Sequence, residues 1–295
     1  MDIQTGQHQN VHPASYIVEP TQKHTCTFIL LHGLGSTGEK FGIELLDTGR
    51  SSEGRKLTEI FPSARFIFPT AKRRRSSAFN RALITQWFDI ASLDDHYHKR
   101  ECQVEGLSDS AVYLFDILKK EIEAVGLENI ILGGISHGCA MSLPLLLCLE
   151  HPLGGFIGIS GWLPYQKDLE EIMQETDDGI DDIFESYEDP AEQSPLLKVV
   201  GFVRELLAVE VNDVSLTNTS LSTPVFVGHG EADEKVKCIL GQDMRRTLKL
   251  LGMNVTWKSY PGQGHWYKIP EEIDDILSFL RTDAGLGTKS NSRSN

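Results

Sequence analysis

The chain has 295 residues, of which 40% are hydrophobic and 24% are charged, so it is long enough to bury the core of a large α/β domain. Its formal net charge of −14 argues against a nucleic-acid partner, because phosphate binding needs a basic surface. The five cysteines are odd in number and show no C-x-x-C pair, which argues against a disulfide framework and against a structural metal site.

Apolar runs and helical patterns alternate along the chain. Buried strands are predicted at 25–33, 64–69, 129–134, 154–160, 223–230 and 254–262. Helices are predicted at 108–126, 137–150, 236–251 and 270–281, and Ser108 or Asp109 is expected to cap the first of them. Strands separated by helices of this length need crossover connections. The pattern therefore predicts an α/β fold with a mainly parallel central sheet and helices on both faces.

One segment interrupts this alternation. Residues 168–192, called here the acidic segment, contain 12 acidic residues and no Lys or Arg, so nearly all of the net charge is local. Apolar residues at helical spacing within it, and a second amphipathic pattern at 195–211, predict a mostly helical insertion over about 166–221. We interpret it as a solvated face packed on the domain. A lid over the active site and a calcium loop at 177–182 are the alternatives.

The domain boundaries follow from these patterns. Residues 1–24 are assigned to an N-terminal extension, 25–282 to the α/β domain and 283–295 to a polar, disordered tail. The first twenty residues lack the basic start and apolar core of a secretory signal. We therefore expect a cytoplasmic protein with transient membrane contact at most. The basic run KRRR at 72–75 is interpreted as a solvated loop.

A single serine lies between glycines where a predicted strand meets a predicted helix. The stretch is GISHG at 134–138. In this setting G-x-S-x-G is typical of a nucleophile elbow, a strained turn that lifts the hydroxyl of Ser136 above the sheet edge. The alternative is an ordinary turn in which Ser136 caps the helix.

A serine nucleophile needs a histidine base that is oriented by a carboxylate. In the α/β-hydrolase order Ser, acid, His, both partners are present. Glu231, Asp233 and Glu234 follow the strand at 223–230, and His265 follows the last strand in a glycine-rich loop. His265 is the predicted base. His137 adjoins Ser136, but its side chain should point elsewhere.

Backbone N–H groups are expected to hold the oxyanion. The residue after the nucleophile, His137, supplies one such group. The glycine-rich loop LHGLGSTGE at 31–39 follows an early buried strand and can supply the second, because its backbone can approach a substrate closely.

Five motifs together resemble a known family. They are LHGLGSTG (31–38), FPTAKRRR (68–75) followed by QWFDI (86–90), GISHG, HGEAD (229–233) and GQGHW (262–266). Over about residues 25–281 the chain resembles the acyl-protein thioesterase and carboxylesterase family of α/β-hydrolases. The resemblance implies a serine hydrolase of fatty acyl thioesters or esters that needs no cofactor. Some members of the family remove palmitate from proteins.

The family motifs assign roles to individual residues. The resemblance implies Ser136 as the nucleophile, His265 as the base and, through H-G-x-x-D, Asp233 as the acid. It implies the N–H groups of Leu34 and His137 as the oxyanion hole. Trp87, Phe88 and Trp266 are the expected substrate-binding residues, with a purely structural role of Trp87 as an alternative.

The chain departs from the family pattern in four places. Ser36, His137 and Cys139 stand where the family usually has Asp, Gln and Gly, and the acidic segment is an addition. A preference for acyl chain length is therefore not implied by the resemblance.

Three functions are compatible with these residues. An acyl-protein thioesterase is the leading hypothesis, and a carboxylesterase or lysophospholipase acting on small or lipid esters is the alternative. Both reactions use the same steps, so the sequence leaves them open. A non-catalytic binding protein on a hydrolase scaffold is a third hypothesis, against which the complete set of Ser136, Asp233 and His265 argues.

Overall fold

The computed structural model describes residues 12–174, 194–209 and 219–286. The proposed calcium loop at 177–182, most of the acidic segment and the tail after 286 lie outside the described residues.

Within the described residues, seven strands form the central sheet. Its strand order is β1-β3-β2-β6-β7-β8-β9, and every neighbouring pair is parallel except β1 with β3. The strands are β1 (Tyr16–Val18), β2 (Cys26–Leu31), β3 (Ala64–Phe68), β6 (Ile130–Ile135), β7 (Gly155–Ile159), β8 (Val225–Gly230) and β9 (Val255–Tyr260), while β4 (Arg73–Arg75) and β5 (Leu83–Thr85) form a separate antiparallel hairpin. The predicted mainly parallel sheet is confirmed.

Helices cover both faces of the sheet, as predicted. They are α1 (Gly38–Thr48), α2 (Leu57–Ile60), α3 (Val104–Val125), α4 (His137–Leu147), α5 (Gln166–Gln174), α6 (Pro195–Leu206), α7 (Cys238–Leu250) and α8 (Glu271–Thr282). Short 3₁₀ turns lie at Arg100–Gln103, Leu127–Asn129 and Ser220–Ser222. Apolar residues of α3, α4, α6 and α7 pack in one core cluster, and those of α1, α2 and α8 pack in the other.

The two core clusters follow from the period of a β-strand. Successive side chains of a strand point to opposite faces of the sheet. In β2, Phe28 and Leu30 belong to the α1/α8 cluster, whereas Ile29 and Leu31 belong to the α3/α4 cluster. A strand that is apolar at every position is therefore buried on both faces, which is what parallel sheets require.

Helix α3 begins one turn earlier than predicted. Its first residue is Val104, so Ser108 and Asp109 lie inside the helix and the prediction that either caps it is wrong. The extra turn is stabilised by packing, because Gly106 lies so close to Phe88 that an added Cβ would be 2.4 Å from the Phe88 Cα. Glycine at this position allows the helix to continue against the loop.

The basic run KRRR is not the solvated loop that the sequence suggested. Arg73–Arg75 form strand β4, and Asp109 of α3 accepts hydrogen bonds from Lys72 (2.7 Å) and from Arg74. The side chains of Lys72 and Arg74 are only 12% and 14% exposed. Only Arg73 and Arg75 face solvent, since alternate residues of a strand point to opposite sides. Two of the four charges therefore attach the hairpin to α3.

Candidate active site

Ser136 lies at the sharp turn between β6 and α4. Its φ of +57° is in the left-handed region, which a non-glycine residue adopts only under constraint. The Ser136 amide donates to the Ile159 carbonyl (2.8 Å), which ties the turn to β7. This is the strand, turn and helix geometry of a nucleophile elbow.

The glycines on either side of Ser136 allow this turn to sit tightly between β2 and α4. A Cβ at Gly134 would be 2.6 Å from the Leu31 carbonyl oxygen, and one at Gly138 would be 2.2 Å from the same atom. Both distances are far inside van der Waals contact. G-x-S-x-G is thus required here by the close approach of two backbones.

His265 and Asp233 form a direct hydrogen bond. The Nδ1 atom of His265 lies 2.7 Å from Oδ2 of Asp233. Because a carboxylate can only accept, Nδ1 carries the proton and Nε2 keeps its lone pair. A neutral imidazole in this tautomer can accept a proton from a serine hydroxyl.

The Asp233 carboxylate is stabilised in its charged form. Its Oδ1 accepts from the amides of Lys235 (2.9 Å) and Val236 (3.0 Å), and the His229 ring lies 3.5 Å from Oδ2. Burial opposes ionisation, but contacts with His229, His265 and the Val236 amide outweigh it and hold the pKa of Asp233 well below its usual range. The group is therefore ionised at neutral pH.

The structure distinguishes among the three acidic residues after β8. Glu231 accepts a hydrogen bond from the Ser259 hydroxyl (2.8 Å), Glu234 is exposed, and Asp233 faces His265. The loops after β8 and β9 are also joined directly, because the Ala232 amide donates to the Gln263 carbonyl (2.9 Å). This connection fixes the spacing between the loop that carries Asp233 and the loop that carries His265.

The loop after β2 lies beside the serine. A Cβ at Gly33 would be 3.5 Å from the Cβ of Ser136, so the two backbones are in near contact. The amides of Gly35 and Ser36 donate to the carbonyls of Thr85 (2.8 Å) and Gly33 (3.2 Å), which fixes the turn. Leu34 and His137, the expected oxyanion donors, line the same cavity as Ser136.

The cavity at this edge of the sheet has a volume of about 590 Å³. Ser136 and His265 both line it. The polar lining also includes Ser36, Asp94, His96, Glu234 and Lys235. The apolar part of the lining comprises Leu34, Phe41, Phe79, Ile90, Leu93, Ile135, Trp162, Val236 and Trp266. A largely apolar cavity with a few convergent polar groups can hold an acyl chain beside a reactive carbonyl.

Of the three predicted substrate-binding aromatics, only Trp266 lines the cavity. Trp87 and Phe88 are fully buried behind it, so the structure differs here from the expectation. The Trp87 indole donates to the His32 carbonyl (2.9 Å), and the Phe88 ring lies 4.2 Å from the ring of His137. Both support the backbone that carries the expected oxyanion donors.

Two buried histidines lie behind the serine. His32 accepts from the Ala71 amide through Nε2 (3.1 Å) and has Nδ1 2.7 Å from the Gly33 carbonyl; burial lowers its pKa to about 4. Burial, together with the nearby His32 and His96, also holds the pKa of His137 well below its usual range. The His137 side chain is completely buried against Phe88 and does not face solvent as a base would.

Several cavity residues carry no signal in the sequence. Phe41 lies on a helix, and Phe79, Leu93, His96 and Trp162 lie on irregular connections. Residues on such connections have no periodic pattern that would indicate which way they face. Only the position of Trp162, just after a predicted strand, could have suggested a place at this edge of the sheet.

The described ranges contain neither a cluster of metal-ligating residues nor a helix that could span a membrane. Within 12–174, 194–209 and 219–286, no group of three or more His, Cys, Asp or Glu residues is arranged to hold a metal ion. In the same ranges, no helix has both the length and the apolar character needed to cross a bilayer.

The chain is similar to known proteins over most of its length. A family model described as phospholipase/carboxylesterase matches residues 12–183. The chain is 30% identical over 271 residues to acyl-protein thioesterase 1 of Gibberella zeae, covering 91% of this chain and 94% of that protein. It is 26% identical to acyl-protein thioesterase 1 of Saccharomyces cerevisiae, covering 86% and 91%.

Solved structures are also similar. The crystal structure of acyl-protein thioesterase 2 of Zea mays has a TM-score of 0.63 and 26% identity, covering 92% of this chain and 99% of that one. Esterase PE8 has a TM-score of 0.60 at 20% identity, covering 91% and 97%, and supports the fold alone.

Proposed function

This chain belongs to the phospholipase/carboxylesterase family, and from that premise we propose that it removes acyl groups from proteins through an acyl-enzyme formed on Ser136. It is a serine hydrolase of acyl thioesters or esters, as its acyl-protein thioesterase homologues indicate. The observation that carries the proposal is the 2.7 Å hydrogen bond between His265 and Asp233, beside the cavity that Ser136 also lines.

In the proposed first step, Nε2 of His265 takes the proton of the Ser136 hydroxyl while its oxygen attacks the acyl carbonyl. The ionised Asp233 accepts from Nδ1 and stabilises the imidazolium that forms. The tetrahedral intermediate collapses, His265 gives its proton to the thiol or alcohol, and the acyl group remains on Ser136.

In the second step, water replaces the leaving group. His265 takes a proton from that water, the hydroxide attacks the acyl-enzyme, and the carboxylic acid is released as Ser136 regains its proton. The N–H groups of Leu34 and His137 are proposed to hold the oxyanion in both steps. Such a donor is worth about 3 to 4 kcal/mol of barrier.

The expected partners and location follow from this chemistry. We propose acylated proteins as substrates reached by transient membrane contact, with no nucleic-acid partner. The five cysteines are free thiols, which supports a reducing compartment such as the cytoplasm.

The test compares the wild type with Ser136→Ala on an S-palmitoylated peptide, palmitoyl-CoA and p-nitrophenyl esters from acetate to palmitate. We expect a preference for the long S-acyl substrates, and loss of about four or more orders of magnitude in kcat on removing the nucleophile. A preference for short esters with the same loss would identify a carboxylesterase instead. No Ser136-dependent turnover on any substrate would favour the binding-protein hypothesis.

A further inference from the structure

One wall of the cavity is an irregular segment, residues 91–99, called here the wall segment. Its Leu93, Asp94 and His96 line the cavity, and the Leu93 side chain is 40% exposed. Hydrogen bonds within the segment shape it locally, since the amides of Asp95 and Tyr97 donate to the Ser92 hydroxyl (3.1 Å) and the Asp95 carboxylate (3.0 Å). These bonds do not attach the segment to the rest of the domain.

The buried Gln103, just before α3, holds the wall segment at one point, because its side-chain amide donates to the His96 carbonyl (2.8 Å). The other contacts come from the chain that follows β7. The His96 ring stacks on Trp162 with centroids 4.0 Å apart. The Tyr165 hydroxyl donates to the Arg100 carbonyl (2.8 Å), just after the wall segment. Thus the wall segment is held by Gln103 at one point and by the chain where α5 begins at several others.

Asp168, in the first turn of α5, makes two charge-assisted hydrogen bonds of this attachment, and the Lys167 ammonium beside it lies 4.7 Å from the centroid of the Tyr97 ring. One carboxylate oxygen accepts from the Tyr97 hydroxyl and the other accepts from the Arg100 guanidinium at 2.7 Å. The Arg100 guanidinium also lies over the rings of Tyr97 (4.6 Å) and Tyr165 (5.6 Å). The Asp168 side chain is 14% exposed and the Arg100 side chain is 40% exposed, so the carboxylate end of these charge-assisted hydrogen bonds is partly shielded from water.

Helix α5, which carries Asp168, is packed on the core and hydrogen-bonded to α7, so the position of Asp168 is well defined. Leu169 is buried in the core. On another side of the helix, Glu170 accepts from the Thr247 hydroxyl (2.5 Å) and from Arg246 (3.4 Å) of α7. The helix therefore holds α7 through Glu170 and the wall segment through Asp168.

We propose that Asp168 is a positioning residue that sets the acyl-chain selectivity of the cavity by holding Leu93 and His96 in its wall. This inference rests on the proposed function. Ser136, Asp233 and His265 lie on other loops, so loosening the wall segment leaves the reacting groups in place. A long acyl chain loses apolar contacts with the wall, whereas an acetyl group does not reach it.

The kinetic test measures kcat and KM of the wild type, Asp168→Asn and Asp168→Ala for p-nitrophenyl acetate, octanoate and laurate. We expect KM for laurate to rise about tenfold in both variants, the size of a few lost apolar contacts, with kcat for acetate unchanged. Asp168→Glu keeps the charge and restores part of the preference. Glu170→Gln, on the same helix, is the matched control: its amide oxygen can still accept from the Thr247 hydroxyl and keep α5 attached to α7, so the wild-type ratio of laurate to acetate is expected.

A second measurement needs no catalysis. Hydrogen exchange of peptides covering 91–100 is expected to be faster in Asp168→Ala than in the wild type, with no change around Ser136. Displacement of the fluorescent fatty acid cis-parinaric acid by fatty acids of graded length, in a Ser136→Ala background, then reports chain preference directly. We expect Asp168→Ala to weaken the binding of long-chain fatty acids and to leave the binding of short-chain ones unchanged.

The outcomes separate this inference from the function. Wild-type exchange and an unchanged length dependence in Asp168→Ala would overturn the role of Asp168 even if the enzyme hydrolyses every ester. Absence of ester turnover in the wild type would overturn the proposed function, while the displacement series would still decide the role of Asp168.

Discussion

One cavity lies at the carboxyl ends of the sheet strands, called here the carboxyl edge, and another lies at their amino ends, called the amino edge. The two cavities differ in chemistry more than in size. The cavity at the carboxyl edge, beside Ser136, has a volume of about 590 Å³; the one at the amino edge, lined by Cys26, Phe61, Asn129 and Pro224 among others, has about 640 Å³. Each contains a potential nucleophile. The two volumes therefore do not indicate which cavity is the active site.

The difference lies in what surrounds each nucleophile. Ser136 shares its cavity with His265, which Asp233 orients. Burial raises the pKa of the Cys26 thiol to about 11, so it stays protonated, and none of the described residues lining that cavity is a histidine. Ligands of open α/β sheets bind outside the carboxyl ends of the strands, because the loops that carry functional groups converge there.

The largest loss of activity is expected from substitutions of Asp233 and His265 at the carboxyl edge. Asp233→Asn and His265→Gln are each expected to lower kcat/KM by about 10³ to 10⁴, because the base is lost or held in the wrong tautomer. Ester hydrolysis at neutral pH measures it. The double variant should lose little more than either single one, since the residues act as a unit.

The control for this prediction lies at the amino edge. Cys26→Ala is expected to keep kcat/KM within about twofold, because its thiol is remote from the reacting groups. A loss as large as that of Asp233→Asn, in a variant with an unchanged melting temperature, would move the active site to the other cavity.

The next effect concerns the packing beneath the nucleophile. Gly138→Ala should lower the free energy of unfolding by about 3 kcal/mol or more, since the new Cβ would be 2.2 Å from the Leu31 carbonyl oxygen. Gly264→Ala, next to His265, meets nothing within 4 Å and should cost less than about 1 kcal/mol. Urea unfolding of the two variants measures the difference, and equal losses would contradict the tight approach of α4 to β2.

A smaller effect comes from the buried histidines behind Ser136. An unfolded histidine binds a proton below about pH 6.5, whereas buried His32 stays neutral to about pH 4 and His137 also has a lowered pKa. The unfolded state then binds more protons, so stability is complete above pH 6.5 and falls as the pH is lowered, by about 1.4 kcal/mol per pH unit for each histidine.

Unfolding free energies between pH 7 and pH 5 check this slope. His137→Phe should reduce this slope by the contribution of one histidine, about 1.4 kcal/mol per pH unit. Cys26→Ala removes no histidine and should keep the wild-type slope. If His137→Phe also kept it, the His137 ring would have to be protonated in the folded protein.

The smallest effect separates the two kinds of tryptophan at the carboxyl edge. Trp87→Phe leaves the buried His32 carbonyl without its indole partner and should cost about 1 to 2 kcal/mol of stability, with little change in KM. Trp266→Phe alters a cavity-lining residue and should change KM for long acyl esters with less effect on stability. A changed KM in Trp87→Phe together with a loss of stability in Trp266→Phe would instead indicate that Trp87 contacts the substrate.

The amino-acid sequence by itself determined the sheet, its helices and the places of Ser136 and His265 after their strands. Buried parallel strands read as continuous apolar runs, and helices repeat their apolar face every three or four residues; both signals are local. The turn at Ser136 is also local, because its glycines mark positions where no side chain fits. The order of Ser136, Asp233 and His265 then follows from the order of the strands.

Only the tertiary structure decided which side chains face each other across loops. The sequence places Glu231, Asp233 and Glu234 equally after β8, and the joined loops turn Asp233 alone toward His265. Trp87 and Phe88 were predicted at the substrate, but the packing of α3 against them buries both.

The wall of the cavity was decided in the same way. His96 and Asp168 lie far apart in the chain, and nothing periodic indicates that α5 holds the wall segment. The direction of a loop side chain depends on contacts between segments distant in sequence, whereas the pattern of a strand or helix depends on its own neighbours. The fold, Ser136 and His265 could therefore be predicted from local patterns, and Asp233 from the resemblance, while the residues that shape the cavity could not.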